Sequence, residues 1–133
     1  MHDPRKRKNP WMCFSAINDK EDKTMNTVYE ENPCGGVGRM RLDHLLGPEE
    51  LKDKCPLFAR VTLPPGAVLG FHEHHGDSEC YHILAGTGEY DDNGVKRMVE
   101  PGDVTWTPDG TGHGLSNAAG REDLVFIALM IKS

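Results

Sequence analysis

Residues 66–86 read GAVLGFHEHHGDSECYHILAG, two β-rich runs that meet at a loop of histidines and acids. Val68 to His74 and Cys80 to Ala85 have strand length, and Gly66 and Gly86 stand where the chain must turn. Side chains alternate along a strand with a period of two, so His72 and His74 point to the same face. Glu79 opens the returning strand. A second stretch, GDVTWTPDGTGHGLSN at residues 102–117, delivers His113 from a loop framed by Gly102, Pro108 and Gly110. Turns at these glycines set strand register, and register decides which side chains point inward. His72, His74, Glu79 and His113 are therefore the candidate ligands of one divalent transition ion: Mn, Fe, Ni, Co, Cu or Zn. Buried together without a cation, they would leave unmatched polar groups costing on the order of several kcal/mol.

The strand pattern continues on both sides. Leu57 to Leu63 alternates and ends at Pro64-Pro65-Gly66. Gly88 to Tyr90 and Val95 to Val99 flank Asp92-Asn93-Gly94, a strong hairpin signal. Val104 to Thr107, His113 to Asn117 and Leu124 to Ile131 complete the series. Upstream, Gly38 to Leu46 reads as a strand. Gly47 to Lys54 reads as a short helix, with proline near its start, glutamates in its first turn and Cys55-Pro56 as its stop. Many short strands with tight turns make a sandwich or closed barrel, so the expected class is all-β with a short N-terminal helix and strand extension.

The chain has 133 residues, which suits one domain. Residues 1–24 read as a polar tail, with Trp11 and Phe14 as its apolar exceptions, and residues 25–133 as the domain. Fifteen glycines and nine prolines are more than a helical protein tolerates. A formal charge of -6 argues against a nucleic-acid binder and for solubility. No apolar run is long enough to span a bilayer, and no apolar stretch follows the basic residues Arg5 to Lys8. A cytoplasmic location is expected, with Cys13, Cys34, Cys55 and Cys80 as reduced, packed thiols.

The two histidine-bearing stretches, Gly66-x5-His72-x-His74-x4-Glu79-x6-Gly86 and Gly102-x5-Pro108-x-Gly110-x2-His113-x3-Asn117, resemble the paired signature motifs of the cupin superfamily. Every fixed position of both patterns is present. The resemblance covers roughly residues 57–131 and implies a jelly-roll β-barrel with a single metal ion inside it. It also implies a homodimer, with an N-terminal strand capping the partner's sheet edge.

Three nitrogens and one carboxylate leave two positions open on an octahedral ion, where a chelating small molecule or dioxygen would bind. Cupins similar to this one include lyases, decarboxylases, isomerases and dioxygenases, and small members resemble oxalate-binding or oxalate decarboxylase-like proteins. The oxalate enzymes carry two cupin halves and an acidic lid residue; this chain has one half and no obvious lid. The expectation is a metal-dependent protein acting on a small oxygenated carboxylate or sugar-derived molecule, as lyase, decarboxylase or isomerase. A dioxygenase and a non-catalytic sensor are the alternatives. Tyr81 shares Glu79's parity, and either stands beside the ion as a catalytic group or fills the core as an ordinary aromatic. Arg60, if inward, would anchor a substrate carboxylate. Trp106 lines the pocket or plugs a barrel end. His75 and His82 are expected to face away from the ion.

Overall fold

The computed structural model describes residues 26–133; the tail at 1–24, with Trp11, Cys13 and Phe14, lies outside the described residues. The first strands, β1 (Asn26–Glu31) and β2 (Arg39–His44), pair antiparallel on either side of a 3-10 turn at Pro33–Gly35. A single helical turn, α1 (Pro48–Leu51), replaces the longer helix expected over 47–54. The Glu50 carboxylate accepts the Gly47 N–H at 2.8 Å and caps its start. Lys52, at φ 57°, ends it.

Eight strands follow: β3 (Leu57–Leu63), β4 (Val68–Glu73), β5 (Asp77–Ala85), β6 (Gly88–Asp92), β7 (Val95–Val99), β8 (Val104–Thr107), β9 (Gly112–Ser116) and β10 (Leu124–Lys132). They form two antiparallel sheets, ordered β1-β2-β3-β10-β5-β8 and β4-β9-β6-β7. The four glycines expected at turns, Gly66, Gly86, Gly102 and Gly110, all have φ between 80° and 96°. In the β6–β7 hairpin, Asn93 and Gly94 have φ of 51° and 100°, the doubly positive turn that matches strand twist.

Period-two alternation builds the core. Leu57, Ala59, Val61 and Leu63 of β3 and Leu124, Phe126, Ala128 and Met130 of β10 are all buried, and their in-between neighbours are not. These rows make the inner face of the larger sheet.

The 3-10 turn packs backbone against backbone on β4. A Cβ on Gly70 would stand 2.3 Å from the Cys34 carbonyl oxygen, and one on Gly36 would stand 1.8 Å from that of Val68. Cys34 is disulfide-bonded, against the expectation of reduced thiols, whereas Cys55 and Cys80 are free.

Candidate metal centre

Strict alternation from Leu69 would turn Phe71 inward and His72 outward. A register shift between Leu69 and His72 reverses this. Phe71 is left 47% exposed, and His72 faces the barrel opposite His113 of β9. β4 ends at Glu73, so His74 sits just beyond it, fully buried, its N–H donated to the Thr111 carbonyl at 2.9 Å. Glu79 comes inward from β5. The ligand atoms of His72, His74, Glu79 and His113 all lie within 4.8 Å of one another.

Three of the four form a tight triangle. His74 Nε2 is 3.0 Å from His113 Nε2, and Glu79 Oε1 is 3.1 Å from the former and 2.9 Å from the latter. Neighbouring donors of an octahedral ion with bonds of about 2.1 Å stand about 3.0 Å apart; at tetrahedral angles they stand about 3.4 Å apart. The triangle fits an octahedral face.

Hydrogen bonds at the far ring nitrogens fix which atoms face the centre. His74 Nδ1 donates to the Asp77 carboxylate at 2.7 Å, and His72 Nδ1 donates to the Gly70 carbonyl at 2.8 Å. Both partners accept only, so each neutral ring presents an Nε2 lone pair. His113 Nδ1 meets the hydroxyls of Thr107 at 2.8 Å and Tyr90 at 2.9 Å. Nitrogen lone pairs and a carboxylate aimed at one point repel unless a cation joins them, so the donor set fits a metal ion.

Without a metal the charges settle differently. Burial disfavours the His74 cation, but bonds to Asp77 and Glu79 outweigh it and raise the ring from 6.5 to about 9. Burial, helped by His113, lowers His72 to about 4. Burial also opposes the Glu79 carboxylate, but hydrogen bonds from His113 and His74 hold it at about 2.

The remaining candidates separate. Tyr81 points inward, its ring stacked 4.7 Å from that of His113 and its hydroxyl 3.3 Å from His113 Nε2. Burial, then the Glu79 charge, push its pKa well above the ordinary value. Arg60 is not brought to the site. Its neighbours Ala59 and Val61 are buried, so it takes the outer face and pairs with Asp43 at 3.4 Å. Trp106 is 51% exposed on β8 and neither lines the pocket nor plugs an end. His75 pairs with Glu73 at the surface, and His82 is exposed. Asn117 is structural, its amide donating to the carbonyls of Leu63 and Glu122. Asp77, Tyr90 and Thr107, which orient the ligands, escaped the sequence reading. Asp77 alone left a trace there, sharing Glu79's parity two residues before it.

A two-sheet jelly roll enclosing three imidazoles and one carboxylate defines a class of β-barrel with a transition-metal donor set. The chain belongs to the cupin family: the family model described as "Cupin domain" matches residues 59–131. It is 43% identical over 100 residues to the oxalate-binding protein of Thermotoga maritima, covering 75% of this chain and 82% of that one. A crystal structure described as a predicted oxalate decarboxylase from Thermotoga maritima superposes with a TM-score of 0.78 at 37% identity, covering 89% of this chain and 99% of that one. KdgF from Halomonas, at 20% identity and a TM-score of 0.63, covers 90% of this chain and 94% of its own, and shares the fold.

Proposed function

We propose that this cupin holds one divalent transition ion on His72, His74, Glu79 and His113 and binds a small oxygenated molecule that chelates it. The observation that carries this reading is the ~3 Å triangle of His74, His113 and Glu79, beside which Asp77 and the Gly70 carbonyl orient the His74 and His72 rings to present Nε2. Octahedral spacing favours Mn, Fe, Co or Ni over a closed tetrahedral zinc site. The ion would polarise a bound oxygen and steady carboxylate-like or enolate charge. The names of the Thermotoga relatives support a carboxylate-bearing ligand.

Tyr81 is the group of this chain that could act on such a ligand. Its raised pKa keeps the phenol protonated near neutrality, so it donates a hydrogen bond or a proton and does not serve as the base. Glu79 is committed to the ion. Lyase, decarboxylase or isomerase turnover therefore calls for a base from the ligand or a bound water. That need favours a second reading, a binding or sensor protein without turnover.

A homodimer belongs to the same proposal. Val104 and Trp106 on edge strand β8, Leu84 on its neighbour β5 and Ile131 on β10, the next strand in, are 42–61% exposed. A cytoplasmic location does too; the free thiols of Cys55 and Cys80 accord with it, and the disulfide-bonded Cys34 counts against it.

Metal analysis of protein purified without added metal tests the centre. One equivalent of transition metal is expected, and its loss in His74→Ala. Full occupancy in that variant would refute the ligand assignment. Turnover of hydroxy, keto and dicarboxylic acids, with and without dioxygen, then separates enzyme from binder.

A further inference from the structure

A cleft beside the metal donors has walls of one chemistry. His72, Glu79 and Tyr81 supply its polar end. The rest is Met40, Leu42, Leu57, Val61, Leu69, Phe126, Ala128 and Met130, from the inner faces of β2, β3, β4 and β10. No Lys or Arg is among the described residues lining it. Sheet register explains the arrangement. Met130 lies directly across from Glu79, and Leu57 across from Met130, so an apolar row starts at the ligand carboxylate. In the next row Ala128, the smallest side chain of the wall, lies directly across from Tyr81. The space left free among these side chains is about 20 Å³, room for little more than one water, so only a compact ligand fits, and its tail must be admitted by movement of the flexible Met40 and Met130 side chains.

Charge bookkeeping sharpens this. A divalent ion held here would be balanced by two carboxylates, that of Glu79 and that of Asp77, which is bound to His74. A chelating dianion would add two negative charges inside a largely apolar cleft, and their burial would go uncompensated. A monoanion adds one, and an alkyl group beside it gains from burial against the wall.

We infer that the ligand of this site is a compact monoanionic chelator, such as a 2-oxo or 2-hydroxy monocarboxylate, whose short alkyl tail lies along Met40, Leu57, Ala128 and Met130. The inference rests on the metal-centre reading above and goes past it by setting ligand charge and shape. Oxalate fits the two open coordination positions but leaves the apolar wall uncovered.

The test uses full-length protein loaded with Co(II), whose visible absorption reports changes at the ion. It is titrated separately with oxalate, pyruvate, 2-oxobutanoate and 2-oxopentanoate. Affinity should rise about fourfold per added methylene, and 2-oxopentanoate should bind more tightly than oxalate. Ala128→Val should flatten or reverse that gradient, and Met130→Ala should extend it to 2-oxohexanoate; bound Co(II) should be unchanged in both. Oxalate binding tightest, or a flat series, with one Co(II) per chain would overturn this inference alone. Failure to take up Co(II) would overturn the metal centre and this inference with it.

Discussion

Asp77→Ala probes how the protein holds His74, and its effect depends on pH in a way that a generic loss of stability would not. The Asp77 carboxylate sits 2.7 Å from His74 Nδ1, buried, and does two opposed things. It fixes the ring so that Nε2 faces the ion, a role whose loss lowers metal affinity about 10–100-fold, or about 1.4–2.7 kcal/mol. It also helps hold the metal-free ring's pKa near about 9, so that near pH 7 a metal must displace a proton. Wild-type affinity should then climb about tenfold per pH unit from 7 and level off near 9, a gain of about 100-fold. In Asp77→Ala the pKa falls back toward 6.5, and the plateau begins lower. The wild-type advantage of about 10–100-fold near pH 9 should vanish or reverse near pH 7. Competition against a fluorescent chelator from pH 6 to 10 reads this directly. Parallel curves would refute the coupling.

Metal-free stability carries the same signature. A rise from 6.5 to about 9 at His74 corresponds to about 3 kcal/mol. Because the folded pKa is raised, that stabilisation is complete below pH 6.5 and disappears as pH rises through about 9. His72 is shifted the other way, to about 4, so its contribution is complete above 6.5 and is lost as pH falls toward 4. The melting temperature of chelator-treated protein should therefore peak near pH 6.5; a monotonic profile would contradict these assignments. Gly70→Ala should cost about 1–3 kcal/mol in urea melts, because its methyl meets the Cys34 carbonyl and the carbonyl of residue 70 holds His72. Tyr81→Phe should keep one metal per chain and weaken chelator binding about fivefold in the Co(II) titration, through loss of one donor. Arg60→Ala should cost no more than about 1 kcal/mol in melts and leave metal content unchanged, since its ion pair is on the outer face and partly exposed.

The barrel and its four donors were legible because they rest on spacing. Glycines with positive φ and period-two alternation are local constraints, and both leave marks in the chain. Arg60 shows where such marks fail. Parity from Leu57 puts it opposite the buried residues, but deciding which parity faces inward needs the partner strands. His72 shows a subtler limit. Its inward pointing depends on a bulge between Leu69 and His72 that no motif announces. Counting from His72 gave the right face for His74; counting from Leu69 would have given the wrong one. Asp77, Tyr90 and Thr107 were missed because a residue that steadies a ligand can come from any neighbouring strand.

The centre can reach charge balance in two ways, and the choice between them bears on how the protein comes to hold metal. Two imidazoles and a carboxylate crowded to about 3 Å, with the His72 ring beside them, need positive charge between them. A zinc finger obtains it only from the metal, and so folds only with metal. Here a proton on His74 meets two carboxylates, Asp77 and Glu79, and serves the same purpose. Near neutral pH that proton is readily available, because the ring holds it up to about pH 9. The barrel can therefore close first, with its donors already in place, and the metal enters by exchanging with a proton. It follows that chelation at pH 7 should leave strand content and the core intact while emptying the site. At pH 10, with the proton gone, the same chelation should lower the melting temperature sharply.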